Sequence, residues 1–142
     1  MPSCVPDLQP FVHTIRPRYA EVDMQGVVFN AHWLTYFDDA CTRFFEAIGY
    51  EPNVAFFRDF DVMLVKAVLE WQGPARFDEP VEISVAPSRL GTTSLDLRYV
   101  ATAGGDPACR ATITYVSVKP STHAPEPIPS ELRHRLESRL TP

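Results

Sequence analysis

The clearest pattern in the chain is a run of apolar residues spaced three and four positions apart between residues 30 and 49. Its members are Trp33, Leu34, Phe37, Ala40, Cys41, Phe44, Phe45 and Ile48. This spacing predicts a helix that begins after Asn30 as its N-cap and stops at Gly49. Because the apolar stripe is wide, we expect other parts of the protein, rather than water, to cover most of the helix.

Alternation of apolar and polar residues predicts strands in the rest of the folded body. The alternating runs occupy residues 65–71, 81–86, 95–101 and 109–115, and an opening strand is expected at 11–16. In the first run the face expected to be buried consists of Val65, Ala67, Leu69 and Trp71. One long early helix with about five strands predicts an α+β fold, in which an antiparallel sheet curls around the helix. The pattern leaves the order of the strands open.

The organisation predicted for the chain is one domain, with a proline-containing lead at 1–10, a core at 11–120 and a proline-rich tail at 121–142. Within the tail, Ser130 is expected to cap a short amphipathic helix. Its buried side is formed by Leu132, Leu136 and Leu140, and its solvent side by Arg133, Arg135 and Arg139.

Composition and charge narrow the classes of function. At 142 residues and 45% apolar content the chain can bury a core, and its formal charge of −5 gives no electrostatic case for nucleic acid. We expect no membrane span and no signal peptide, hence a cytoplasmic location. Of the three cysteines, Cys41 is interpreted as core, and Cys4 and Cys109 complete no metal-ligand spacing. We also expect no metal and no separate cofactor, since dinucleotide, phosphate-loop and nucleophile-elbow motifs are absent.

The turn before the predicted helix carries the most suggestive chemistry. Backbone N–H groups in the first helical turn have no partners inside the helix and attract anions and developing oxyanions. Gly26 permits a tight turn, and Asp23 within it could take a proton from water, or attack directly, while a substrate carbonyl rests on those N–H groups. On spacing alone, the interpretation that Asp23 simply stiffens the turn is favoured over the catalytic one.

Four segments resemble hotdog-fold acyl-CoA thioesterases of the 4-hydroxybenzoyl-CoA thioesterase-like family. The first, residues 21–37, contains the Asp-x-x-Gly-Val-Val-aromatic core; the others are residues 68–78, 89–95 and 111–120. The resemblance covers about residues 11 to 120 and implies a hotdog fold and hydrolysis of a thioester to free acid and coenzyme A.

Carried over residue by residue, the resemblance places the catalytic carboxylate on Asp23 and the carbonyl-polarising backbone amide at Asn30. Asp39 and Asp38 are reserve acids, because some hotdog thioesterases use an acid from the helix body. The implied substrate contacts are Gly26, Val28, Phe29, Trp33, Tyr36, Arg89 and Thr93. The chain departs from the family at His32, where Asn is common, and at Thr92, where a basic residue is frequent.

The resemblance also implies partners and leaves rival functions open. The substrate is an acyl-CoA or an acyl-carrier-protein thioester, and the protein is expected to form a homodimer or homotetramer with each site at a subunit interface. Phosphates of coenzyme A could meet Arg89, Arg76 and Lys66, or the tail arginines of a neighbouring subunit. The rivals are a hotdog acyl-thioester hydratase or dehydratase that uses His32, and a noncatalytic acyl-binding module.

Overall fold

The computed structural model describes residues 10–51 and 60–141; the predicted lead up to residue 9, with Cys4, lies outside the described residues. A short 3-10 turn at Tyr19–Glu21 follows the first strand. The other elements, in chain order, are β1 Phe11–Ile15, α1 His32–Ala47, β2 Asp61–Trp71, β3 Val81–Leu90, β4 Ser94–Ala103, β5 Asp106–Val118 and α2 Ser130–Glu137.

The strands form one five-stranded sheet in the order β1-β3-β4-β5-β2, and every neighbouring pair is antiparallel. In β3 and β4 buried and more exposed residues alternate, as the sequence pattern predicts, so one face of the sheet packs inward. The apolar face of α1 covers that inner face. The core includes Phe37, Phe44, Ile83, Leu97 and Tyr99, all with no solvent exposure. The predicted hotdog arrangement is therefore confirmed.

The predicted first helix is present, but its start lies later than the sequence suggested. Ala31, rather than Asn30, is the N-cap of α1, and no side chain caps the helix. Asn30 instead belongs to a preceding turn in which the backbone N–H of His32 donates to the carbonyl oxygen of Phe29 at 2.9 Å. The predicted end is close to the observed one, since Gly49 has a φ of 106° just after the last helical residues.

Strand β2 is an edge strand, and this changes the predicted burial of its side chains. Ala67 and Leu69 are half-buried as expected, but Val65 and Trp71 are 58% and 55% exposed, so the prediction that they are buried is wrong. Val65 falls in a register shift between Leu64 and Lys66 in the pairing with β5. No other described strand covers the free side of β2.

The tail helix α2 is present, with two corrections to its details. Pro129 is the N-cap, so Ser130 is the first helical residue rather than the capping one. Leu132 and Leu136 are fully buried, whereas Leu140 lies beyond the helix and is 45% exposed.

The arginines of α2 do not all face solvent freely. Arg133 donates to the carbonyl oxygens of Gly91 and Thr92 in the β3–β4 turn. Arg135 donates to the carbonyl oxygen of Ile48 at 2.7 Å and lies over the ring of Tyr50. These two side chains therefore hold α2 against the sheet and the end of α1.

Candidate active site

The segment before α1 is a small antiparallel hairpin that presents its turn toward solvent. Val22 bridges to Val28, and the backbone N–H of Asp23 donates to the carbonyl oxygen of Val27 at 2.9 Å. Gly26 closes the turn with a φ of 78°, a conformation that glycine adopts without steric cost. The sequence prediction of a tight turn at Gly26 is thus confirmed.

Two backbone contacts anchor this hairpin to the rest of the domain. Val27 bridges to Arg76, and the N–H of Val28 donates to the carbonyl oxygen of Ala75 at 2.8 Å. The hairpin is therefore held between the start of α1 and the segment that follows β2. This fixes where the chain enters the helix.

Backbone donors at the helix start differ in their availability. The N–H of Phe29 donates to the carbonyl oxygen of Glu21 at 3.0 Å, so it is not free to bind a substrate. The N–H groups of Asn30 and Ala31 make no hydrogen bond with any described residue. They carry the partial positive charge of a helix N-terminus, which suits an oxyanion.

A groove of about 660 Å³ lies between the helix start and β2. Its walls are Phe29, Asn30, Ala31 and Leu34 on the helix side, and Ala67, Val68, Leu69 and Trp71 on the strand side. A smaller cleft of about 280 Å³ adjoins it and shares Asn30 and Trp71 as lining residues. Most of these side chains are apolar, so the groove suits an apolar group placed beside the free amide of Asn30.

The carboxylate of Asp23 is half-buried and stiffens its own turn. Its Oδ1 accepts a hydrogen bond of 2.8 Å from the backbone N–H of Gln25. The other oxygen, Oδ2, has no hydrogen-bond partner among the described residues. Asp23 does not line the groove of a single chain. One carboxylate oxygen therefore has a turn-forming contact, and the second bonds none of the described residues.

A buried carboxylate that the sequence did not reveal lies behind the hairpin. Glu21 is only 7% exposed, and it accepts hydrogen bonds from the backbone and guanidinium of Arg18 and from the hydroxyl of Tyr36. Burial alone raises the pKa of Glu21, but these hydrogen bonds outweigh it and hold the pKa below its ordinary value. Burial and the bond to Glu21 raise the pKa of Tyr36.

The hydrogen bond between Glu21 and Tyr36 affects the placement of two aromatic residues that the resemblance implies to touch substrate. Tyr36 points to Glu21 and does not line the groove. Trp33 is 2% exposed, with one side packed on Tyr36 and Phe37 and another at the smaller cleft. Of the three aromatic residues that the resemblance implies to touch substrate, Phe29, which is half exposed, is the one that lines the larger groove. No spacing rule connects residues 21 and 36, so this contact could not be predicted from the sequence.

The reserve acids lie away from the groove. Asp39 accepts a hydrogen bond of 2.7 Å from Nε2 of His13, which ties α1 to β1. Asp38 is exposed on α1 and does not line the groove. His32, the residue needed by a hydratase, is half-buried with its ring edge-on to Phe29 at 6.1 Å between centroids.

Arg89 and Thr93, which the resemblance implies to contact the substrate, lie at the β3–β4 turn. This turn is at the end of the sheet opposite the groove. Arg89 pairs with Asp96 at 3.0 Å, and the carbonyl oxygen of Thr93 accepts from the N–H of Ser117. Asp61, at the start of β2, pairs with Val118 beside that turn, whereas Trp71 ends the strand at the groove. Eleven extended residues separate these ends by about 30 Å. Within one chain Thr93 therefore cannot meet the groove.

The described cysteines are unsuited to nucleophilic attack. Cys41 is buried, and burial raises the pKa of its thiol to about 11, which confirms its interpretation as core. Burial likewise raises the pKa of Cys109 to about 12. A thiolate would be scarce at either position near neutral pH.

Two further properties concern the whole described chain. None of its helices is both long and apolar enough to cross a membrane. Among residues 10–51 and 60–141 no group of three or more His, Cys, Asp and Glu side chains is arranged to hold a metal ion.

Comparison with known proteins places this architecture in a family. A crystal structure of a thioesterase superfamily protein from Jannaschia sp. superposes with a TM-score of 0.86 at 20% identity, with 96% of each chain covered. A gentisyl-coenzyme A thioesterase gives a TM-score of 0.79 at 23% identity, covering 89% of this chain and 99% of that one.

A thioesterase from Thermus thermophilus, solved with coenzyme A and zinc, gives a TM-score of 0.75 at 22% identity and covers 89% of this chain and 91% of its own. The sequence model described as the thioesterase-like superfamily matches residues 17–136. Since that match includes the hairpin, α1, the four long strands and most of α2, the chain belongs to the thioesterase-like superfamily.

Proposed function

We propose that this protein is an acyl-CoA thioesterase whose reaction takes place at the start of α1. The observation that carries the proposal is the free backbone N–H of Asn30, which lines an apolar groove at a helix N-terminus. The carbonyl oxygen of a thioester placed there gains negative charge when its carbon is attacked. A preorganised donor at that point stabilises the transition state more than the ground state.

Asp23 supplies the attacking group in this proposal, and it acts from the hairpin beside the groove, because it does not line the groove of a single chain. Its free Oδ2 either removes a proton from a water molecule that attacks the carbonyl carbon, or attacks that carbon itself to form a mixed anhydride. In both routes the carbon–sulfur bond breaks and coenzyme A leaves as its thiolate; in the first route the proton taken up by Asp23 passes to that sulfur, and the carboxylic acid is released directly. Hydrolysis of the anhydride restores Asp23 in the second route.

The acyl group is proposed to lie in the groove beside Leu34, Ala67 and Leu69. Removal of this apolar surface from water favours binding by about 25 cal/mol for each Å² buried. The relatives support the nature of the carrier, since one is named a gentisyl-coenzyme A thioesterase and another was solved with coenzyme A. We therefore favour coenzyme A over an acyl carrier protein.

A homodimer formed through β2 would complete the site. The free edge of β2 exposes unpaired backbone groups together with apolar side chains, a combination that favours pairing with another strand. The exposed apolar residues of the strand are Met63, Leu64, Val65, Val68 and Trp71. Pairing of two β2 strands about a twofold axis is antiparallel, so the Asp61 end of one copy lies beside the Trp71 end of the other.

This arrangement also gives a role to the β3–β4 turn. In a single chain the turn is about 20 Å from the nearer end of the groove at Ala67, but the pairing moves the same turn of a second copy toward the groove. Arg89 and Thr93 of one copy would then border the groove of the other.

Because Cys41 and Cys109 are free and buried, which suits a reducing compartment, we place the activity in the cytoplasm.

The test is release of free thiol from short, branched, aromatic and long acyl-CoAs. Asp23→Asn should lower kcat by a factor of about one hundred or more, whereas the control Asp106→Asn, at the exposed first residue of β5, should not. Equal rates for wild type and Asp23→Asn would remove Asp23 from the chemistry. Hydration of an enoyl-CoA without thiol release, lost in His32→Ala, would assign a hydratase instead, and tight acyl-CoA binding without turnover would assign a binding module.

A further inference from the structure

A second cavity lies on the outer face of the sheet, away from the groove at the helix start. It has a volume of about 420 Å³ and is bordered by the beginning of β1, by β3 and β4, and by the chain that follows α2. None of its lining residues belongs to the groove or to the adjoining cleft. The residues of β3, β4 and the tail explain why this cavity forms.

The cavity exists because small residues on β3 face larger ones on β4. Ser84 pairs with Val100 and Ala86 pairs with Arg98, and all four side chains lie on the outer face. Opposite positions in a sheet have Cβ atoms only about 5 Å apart, so small side chains at 84 and 86 leave room beside Val100 and Arg98.

The chain after α2 forms the remaining wall. Its direction is set by Thr141, whose backbone N–H donates to the carbonyl oxygen of Pro87 at 2.9 Å. β1 pairs with β3 only as far as Val85, so the tail continues along the edge that β1 leaves uncovered. Leu140, which is 45% exposed, contributes an apolar surface to the cavity.

Two arginines line this cavity, and neither has a partner among the described residues. The guanidinium groups of Arg98 and Arg139 make no hydrogen bond or ion pair with any residue in 10–51 or 60–141. Three other arginines of the sheet and tail are paired: Arg89 with Asp96, Arg110 with Glu70, and Arg135 with Glu131. No Asp or Glu lines the cavity. Its charge is therefore positive, next to an apolar wall.

We propose that this cavity is a binding site for an amphiphilic anion, a carboxylate or phosphate group attached to an apolar body. The anionic head binds Arg98 and Arg139, because guanidinium groups match the geometry of both carboxylate and phosphate. The apolar body packs on Val100 and Leu140. This site is separate from the proposed thioesterase site and does not depend on it.

The experiment is an NMR titration of the isotope-labelled full-length protein with octanoate, octyl phosphate and, as a neutral probe, octanol. We expect at least one of the two anions to shift the backbone signals of Val100 and Leu140 in a saturable way. Octanol should bind much more weakly or produce no shift at these signals. A response to octanoate, to octyl phosphate or to both would identify the head group.

Variants test the two cations separately. Arg98→Gln and Arg139→Gln should each raise the dissociation constant about tenfold, and Leu140→Glu should raise it by adding a negative charge. Arg110→Gln is the matched control, because Arg110 lies on the same face outside the cavity and is paired with Glu70. Unchanged affinity in Arg98→Gln and Arg139→Gln, equal binding of octanol, or absence of shifts at Val100 and Leu140 would overturn the proposal.

Discussion

The hydroxyl of Tyr36 donates a hydrogen bond of 3.0 Å to Oε1 of Glu21, which joins the inner side of α1 to the hairpin that leads into it. Both residues are buried, with exposures of 4% and 7%. Because the carbonyl of Glu21 also accepts from the N–H of Phe29, the same residue sets the backbone course immediately before Asn30. The position of the free amide therefore depends on a contact within the core.

Loss of this hydrogen bond should destabilise the fold. In Tyr36→Phe the buried carboxylate of Glu21 loses one donor, and we expect a decrease in the free energy of unfolding of about 1 to 3 kcal/mol. Urea denaturation measures the change. Tyr19→Phe is the control, since Tyr19 is 83% exposed and should give wild-type stability. A Tyr36→Phe variant as stable as wild type would show that Arg18 alone satisfies Glu21.

The same carboxylate should make stability depend on acid pH. Its pKa in the folded protein lies below the ordinary value of 4.5, so its stabilising contribution is complete above about pH 4.5 and is lost as the pH falls through the folded-state pKa. Glu21→Gln cannot titrate and should show a flatter fall of the free energy of unfolding below pH 4.5. Parallel pH profiles for the two proteins would contradict this assignment.

The proposed role of the helix start predicts a contrast between two substitutions at one position. Asn30→Pro deletes an N–H that bonds no described residue and should lower kcat about a hundredfold with the melting temperature nearly unchanged. Asn30→Ala keeps the N–H and should retain activity within about threefold, since the proposal uses the amide and not the side chain. Equal activity of both variants would exclude this amide as the carbonyl donor.

The free edge of β2 predicts the assembly state. Wild type should sediment at twice the chain mass of 16.0 kDa, and Leu64→Lys with Val65→Lys should shift it to a monomer, because lysine on an edge strand opposes pairing. Val12→Lys places a lysine on β1, the opposite edge, at a residue that is 48% exposed, and should leave the dimer intact. A monomeric wild type would contradict the proposed interface.

Gly49 should be intolerant of a side chain for two reasons. Its φ of 106° disfavours any other residue, and an added Cβ would overlap Nη1 of Arg135, which is held by Ile48 and Tyr50. We expect Gly49→Ala to lower the free energy of unfolding by about 1 to 3 kcal/mol. Gly105→Ala has similar backbone strain with nothing within 4 Å, so it should cost less. An equal decrease in the free energy of unfolding for both variants would show that overlap with Arg135 makes no measurable contribution.

The local features of this chain were predictable because each depends on residues close together in sequence. Apolar spacing located α1, alternation located β3 and β4, and Gly26 marked the turn that carries Asp23. Where the details failed, the reason was contact with distant residues. Ala31 replaced Asn30 as N-cap because the bond from Phe29 to Glu21 fixes the preceding turn, and Trp71 is exposed because β2 is an edge strand.

Periodicity specifies which face of an element is apolar, and this was enough to predict an α+β domain with a helix inside a curled sheet. It does not specify which elements become neighbours. That choice depends on packing between residues far apart in the chain. It decided three features of the candidate sites: the buried pair of Glu21 and Tyr36, the groove between α1 and the edge strand, and the two arginines beside the tail that pair with no described residue. Pairing energies across the sheet and core, rather than local preference, brought these residues together.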